Sequence, residues 1–475
     1  MRFSARRILP SAFYTLRSLS ALVVSYGLGA AVLSGCGASP SPTPPAPAAA
    51  DPCAVEAAAP PRGDTVHVAL FAPVEPANAP VPANDAERLV FRQLYEAMVR
   101  VDCARVVRPG LASRWRAEDG ERRWVFEISP EARFWDGTPV DAEALRAAWV
   151  GTPGLPVEDV QPSGDRSVTV SLGAPRSIEA FGDAAWAIVK HIPESRWALG
   201  TGPVWVGGWQ GDGPRRVLLA APTPDAPDGT PTLEFRTGAG DPRDVLDQAT
   251  DVAVTRDAGA VRYAEGRGDW RTVPLPWDRV YGLAAPVRSR SGTTTQLDAV
   301  TQGALARDAV RDDARAPEPN PWWADPRCPP ETPGVADSAE APPAHPSVVV
   351  PDGDRVATDL VSRLVARSDA ELADLLGVRP GPLRAEPLPQ APYHRRLAAG
   401  DAVAFVILLP GDPLDRCRAA AELHASARWL HQLGAWSANA LAPLVETRAH
   451  MLLRGNTAAQ LDGDGGVRLV PGRSP

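Results

Sequence analysis

The segment "DTVHVALFAP" (64–73) sets Val66, Val68 and Leu70 on one face in strict alternation, which predicts a half-buried strand. Leu89, Val90, Leu94 and Met98 follow on one stripe at helical spacing, with Asn84 or Asp85 placed to cap that helix. Alternation returns in "RRWVFEIS" (122–129) and "DRSVTVSLG" (165–173), two further strands. Between them lies "ARFWDGTPVDAEALRAAW" (132–149), read as a strand end partnering 122–129, an Asp136-Gly137 turn and a helix capped by Asp141. In that helix Glu143 occupies the positive first turn, while Leu145 and Trp149 share the buried face. Farther on, "SVVVP" reads as a buried strand, and Val356, Leu360 and Leu364 mark a helix over 354–366. Strand, helix and strand in succession predict an α/β architecture.

The two ends of the pattern change the picture. Arg2, Arg6 and Arg7 precede an apolar run from Leu19 to Val32, and Leu33-Ser34-Gly35-Cys36 closes it. This resembles a bacterial lipoprotein signal, which implies cleavage before Cys36 and acylation of its thiol. The apolar run is short of the ~20 residues that cross a bilayer. Residues 38–61 are rich in Pro, Ala and Ser and carry almost no large apolar side chain, so they are expected to be a tether. About 410 residues remain, more than one ordinary core holds, which predicts two lobes. Ten prolines in the thirty positions 317–346 mark a long loop in the second half.

Charge and cysteines narrow the function. The net charge is −8 with basic residues scattered among acids, which argues against a nucleic-acid surface. Lysine occurs once, at Lys190. Besides Cys36, four cysteines stand in an oxidising compartment and allow three pairings. Cys53 with Cys103 and Cys328 with Cys417 is the pairing that keeps each bond inside one lobe; free thiols are the alternative. No nucleophile elbow, P-loop, zinc-protease helix or paired-cysteine motif occurs, and the histidines are dispersed. The sequence therefore predicts no enzyme, no catalytic residues, no metal and no cofactor.

Several stretches, taken in order, resemble one family. "LVFRQLYEAMVRVD" (89–102), "VVRPGLASRWRAEDGERRWVFEISPEARFWDGTPVDAEALRAAW" (106–149) and "GTGPVWVGGWQGD" (200–212) are similar to the family 5 extracellular solute-binding proteins, the peptide- and nickel-binding class of ABC importers. Weaker similarity continues through "DPRDVLDQATDVAVT", "VATDLVSRLVA", "YHRRLAAGDAVAFVILLPGDP" and "LAPLVETRAHMLLRGNTAAQLDGDGGVRL". Between Gly292 and Ala316 the family pattern fades, and the chain is short after Trp149 and after Asp412.

The resemblance implies a two-lobed α/β fold of the class II periplasmic-binding-protein type, with a hinge and an interlobe cleft. The expected organisation is a signal peptide over 1–35, a lipidated cysteine and tether over 36–63, and lobe I over 64–276. Lobe II is expected over 277–435 with the loop 317–346 inside it, and a return to lobe I over 436–475. By position, the resemblance places Asp412 against a ligand ammonium and Tyr393 against a ligand face. Trp277 falls near the hinge and Glu75 where the cleft begins. The implied partners are a small-molecule or peptide ligand, an ABC permease and, through the lipid, the membrane. The protein is expected to be a monomeric, periplasm-facing lipoprotein of the cell envelope, on the inner or the outer membrane. The alternative is a diverged solute-binding fold without transport, serving as envelope sensor, scaffold or chaperone.

Overall fold

The computed structural model describes residues 51–56, 64–152, 154–210, 216–238, 240–284, 314–315, 347–367, 383–402, 404–410, 441–454 and 457–471. Cys36, Cys328, Asp412, Cys417 and the loop 317–346 lie outside the described residues. The first strand, β1 (Ala54–Val55), pairs with β19 (Thr457–Leu461), which pairs with β20 (Val467–Pro471) in one small sheet. A disulfide joins Cys53 to Cys103 beside that sheet, where the backbones of both residues hydrogen-bond Leu461.

An 11-stranded sheet carries both lobes. The alternation at 64–73 becomes β2 (Thr65–Leu70), with β11 (Thr232–Thr237) and β12 (Val252–Thr255) parallel on either side. Beyond β11, β10 (Val217–Pro222) and β9 (Val204–Gln210) extend this half antiparallel to its edge. The other half holds β15 (Ser347–Pro351) parallel to both β16 (Arg384–Leu388) and β17 (Ala404–Pro410).

Two long antiparallel strands, β13 (Arg271–Ala284) and β18 (Leu441–Leu453), belong to both halves. The C-terminal end of β18 pairs with β12 of lobe I, whereas the C-terminal end of β13 pairs with β17 of lobe II. These are the two crossovers. Their register shifts on both sides of Trp277, and such bulges bend and twist a ladder. A further short strand, β14 (Ala314–Arg315), pairs with β18 at Thr447 and Glu446.

Helices cover the faces because their apolar stripes have nowhere else to go. In lobe I, α1 (Asp85–Leu94) is capped by Asn84, which accepts from the Glu87 amide, and buries Leu89, Val90 and Leu94 with β2 and β11. On the other face Val245 of α3 (Pro242–Asp247) and Ala260 of α4 (Ala258–Glu265) pack with Ala69 and Trp270. In lobe II, Leu360, Val361 and Leu364 of α5 (Arg355–Arg367) cover one face, and Tyr393 and Leu397 of α6 (Gln390–Ala399) the other.

The segment 122–129 corrects one expectation. As β6 (Arg123–Ile128) it pairs with β5 (Ala112–Glu118) and β8 (Ser167–Leu172), not with residues 132–149. Those two strands offer full-length backbone ladders, whereas 132–149 offers only the single bridge Arg133 to Pro139. With β7 (Val157–Pro162) they form a four-stranded sheet closed by α2 (Ala142–Trp149) over Trp149, Phe126, Phe181 and Trp186. The hairpin of β3 (Val99–Val101) and β4 (Val107–Pro109) links this sheet to α1.

The sequence landmarks of lobe I meet at one junction behind the end of α1. Trp135 stacks on Tyr95 at 6.0 Å between ring centroids, its amide donates to Gly200 O, and its indole N–H donates to Gly202 O. A Cβ at Gly200 would sit 2.1 Å from Leu94 O, and one at Gly202 2.3 Å from Gln93 O. Gly-Thr-Gly is therefore the sequence cost of seating a strand lead-in directly on a helix backbone.

Candidate binding cleft

A cavity of about 570 Å³ opens where the lobes face each other across the crossover strands. Lobe I supplies Phe71 and Ala72 after β2, Asp85 at the start of α1, and Arg256 and Asp257 between β12 and α4. Lobe II supplies Gly353, Asp354 and Val356 at the start of α5, and the crossover strand β13 contributes Arg279 and Tyr281. Every one of these positions is an element end or a crossover, the places where an α/β sheet leaves side chains free to converge.

A buried ion network forms one wall. Arg256, only 8% exposed, donates Nε to Asp85 Oδ2 at 2.8 Å and Nη2 to both oxygens of Asp278 at 2.9 and 2.8 Å. Arg279 adds a bond from Nη2 to Asp85 Oδ1 at 2.9 Å. Arg88 stands 3.6 Å from Asp278, on the face of α1 that looks toward β13. Burial opposes ionisation of Asp85, but the pull of Arg256 and Arg279 outweighs it and holds the carboxyl well below the usual range. The same balance raises Arg256, burial working against its charge and Asp278 and Asp85 prevailing. The bonds among Asp85, Arg256, Asp278 and Arg279 tie α1 and the β12–α4 turn to the crossover strand.

Lobe II presents different chemistry. Asp354 caps α5, its Oδ1 accepting from the Ala357 amide at 2.9 Å. The hydroxyl of Tyr281 lies 3.2 and 3.1 Å from its two oxygens. Burial, and then the Asp354 charge, push the Tyr281 hydroxyl well above its ordinary pKa, so it stays a donor.

Of the residues singled out in the sequence, Trp277, Tyr393 and Glu75 are not among those lining this cavity, and Asp412 lies outside the described residues. Trp277 lies at the crossover bulge with the Arg448 guanidinium 4.6 Å over its ring. Tyr393 is 4% exposed in the core of lobe II and donates to Val406 O at 2.8 Å, so its ring is committed to packing. Glu75 is exposed, and its amide donates to Glu87 Oε1. The residues that do line the cavity were not singled out. The signal available was charge inside an apolar run: Asp278 and Arg279 interrupt "PLPWDRVYGL", and a carboxylate opens the α5 stripe.

This architecture, two α/β lobes on two crossover strands with a cleft between them, is the fold of the periplasmic solute-binding proteins. Known structures bear this out over most of the chain. NikA from Brucella suis in complex with Fe(III)-EDTA superposes with a TM-score of 0.57 at 14% identity, covering 86% of this chain and 100% of that one. NikA from Staphylococcus aureus gives 0.59 at 11% identity over 86% and 99%. The oligopeptide-binding protein AppA from Bacillus subtilis, bound to a nonapeptide, gives 0.55 at 14% identity over 84% and 96%. These neighbours are family 5 solute-binding proteins.

Sequence similarity to curated proteins is confined to short stretches. A probable D,D-dipeptide-binding periplasmic protein of Escherichia coli is 46% identical over 39 residues, and a periplasmic murein peptide-binding protein of the same organism 35% over 60. The matches span 8% and 11% of those relatives' lengths. No family model matches the chain.

Proposed function

We propose that the protein is the substrate-binding component of an ABC importer, anchored to the envelope by a lipid on Cys36 and enclosing a small solute, an oligopeptide in the first instance, between its lobes. The observation that carries this reading is the cavity of about 570 Å³ bounded by both lobes and by a crossover strand. Rotation of one lobe about the bulged strands at Trp277 would close it, which is binding by hinge motion and not covalent chemistry. The neighbours' ligands and the two curated relatives' peptide-binding names support the same class. On this reading the chain faces the periplasm, acts as a monomer, hands its ligand to a permease and is not an enzyme.

The test is a thermal-shift screen of the full chain in detergent against di- to octapeptide pools, nickel chelates and small sugars. A ligand at a hundred times its dissociation constant adds about 2.7 kcal/mol, a shift of several degrees. The Asp412→Ala variant probes the residue that the family pattern assigns to the ligand. A chain inert to every pool would leave the envelope sensor or scaffold as the better reading.

A further inference from the structure

The two walls of the cleft carry unbalanced charge of opposite sign. On the lobe I side Arg88, Arg256 and Arg279 face only Asp85 and Asp278, so that network holds one guanidinium in excess, and Nη1 of Arg256 is buried without a partner. Asp257, the other lobe I carboxylate of the lining, caps α4 at the Ala260 amide. On the lobe II side Asp354 is half-buried and bonded by two neutral donors, the Ala357 amide and the Tyr281 hydroxyl, and no ion pair reaches it among the described residues. Tyr281 connects the two walls. It follows Arg279 by two positions on β13, which places both side chains on one face of the strand about 7 Å apart, and both line the cavity. Burial and then Asp354 push the Tyr281 hydroxyl up in pKa while Arg279 and Arg256 pull it back, so all three charges act on this one group.

We propose that Arg279 and Asp354 form a latch between the lobes: as the cleft narrows, the Asp354 carboxylate reaches the guanidinium that already holds Asp85, and Arg279 then bridges one carboxylate from each lobe. The latch rests on the solute-binding reading only for the hinge, and it acts without a ligand. Arg279 has the donors for it, because its one side-chain hydrogen bond among the described residues, Nη2 to Asp85 Oδ1, uses a single N–H of the five that a guanidinium carries. Asp354 loses little freedom in pairing, because the Ala357 amide and the Tyr281 hydroxyl already fix its orientation. The pairing also answers both imbalances at once, the excess guanidinium of one wall and the uncompensated carboxylate of the other. The cavity opens to solvent, so this attraction is screened by salt, a signature that closure by apolar packing lacks.

The experiment follows the ligand-free full chain by single-molecule energy transfer between dyes on unnatural amino acids at Asp244 of lobe I and Ser362 of lobe II, both exposed. Salt is raised from about 10 mM to about 1 M, which shortens the screening length from about 30 to about 3 Å. The wild type is expected to populate a closed state at low salt and to lose it as salt rises. Asp354→Asn, which still caps α5 and still accepts from Tyr281, should lower the closed-to-open ratio about fivefold at low salt and leave little salt dependence. Tyr281→Phe keeps both charges and should keep the salt-dependent closure. The latch is overturned if the wild-type distance distribution ignores salt, or if Asp354→Asn closes as the wild type does. It is also overturned if Tyr281→Phe loses closure as fully as Asp354→Asn, which would make the neutral hydrogen bond the tie. None of these results bears on the solute-binding reading, which the thermal-shift screen decides separately.

Discussion

Arg279 Nη2 donates to Asp85 Oδ1 over 2.9 Å, tying the first residue of α1 to the middle of a crossover strand. Asp85 is also held by Arg256, which reaches on to Asp278, itself 3.6 Å from Arg88, so five charges share one network. Removing one member leaves its partners buried without compensation. Arg256→Ala is expected to cost about 3–5 kcal/mol in urea unfolding, the range for breaking buried pairs. A cost below about 1 kcal/mol would mean that water takes over the pairing.

The network also sets a pH dependence. The folded Asp85 carboxyl lies below its unfolded value, so its contribution is complete above about pH 4 and is lost as the pH falls further. The stability gap between the wild type and Asp85→Asn should therefore be widest near neutrality and shrink toward pH 3. A gap independent of pH would show that Asp85 contributes through shape and not charge.

Glu87 holds the loop that leads from β2 to α1. It is 1% exposed, and its carboxylate accepts from the Glu75 amide at 2.9 Å, Asn78 Nδ2 at 2.9 Å and the Ala83 amide at 2.7 Å. Glu87→Ala strips all three donors of an acceptor and is expected to cost on the order of 2–3 kcal/mol. Hydrogen exchange should report faster exchange at the Glu75 and Ala83 amides. Unchanged exchange there would place the loop's stability elsewhere.

Two glycines separate steric from conformational need. Gly202→Ala would press a Cβ to 2.3 Å from Gln93 O, a backbone atom that cannot swing away, and is expected to cost about 3 kcal/mol or more, the upper end for overpacking. Gly137 stands at φ +80° with nothing within 4 Å of a Cβ, so Gly137→Ala should cost only the left-handed strain, about 1–2 kcal/mol. Melting temperatures of the pair give the comparison; equal losses would refute the steric account of Gly202.

The single lysine is the partner of the Asp136 turn. Lys190 Nζ donates to Asp136 Oδ2 at 2.9 Å and to Thr138 Oγ1 at 3.1 Å. Burial works against the Asp136 charge, but the bonds from Thr138 and Lys190 prevail and bring its pKa down to about 2. The pair is partly exposed, so Lys190→Met should cost no more than about 1 kcal/mol at pH 7. That cost should fade between pH 4 and pH 2, as Asp136 protonates, and rise with low salt. Thermal melts across that range give the answer, and a cost that grows on acidification would contradict it.

How far the sequence reached depends on the range of the forces involved. Local rules determined β2, β6, β8, α1 with a cap at Asn84 or Asp85, of which the structure uses Asn84, α2 with its Asp141 cap, and the Asp136-Gly137 turn, because periodicity and caps act within a few residues. The ordered landmarks also carried the two-lobed fold. Partner choice did not follow from pattern: β6 takes β5 and β8, because a strand's periodicity marks its buried face and not the neighbour on its edge. The cleft was still less legible. Asp85, Arg256, Arg279, Tyr281 and Asp354 stand up to 269 residues apart, counting 354 − 85, and only the crossing of β13 and β18 brings them to one cavity. Tyr393, which the family pattern placed against a ligand, packs in a core because the α6 stripe had an apolar sheet face to cover. Composition and local pattern determined the elements and their order; the convergence of distant charges on one cavity was decided by tertiary structure alone.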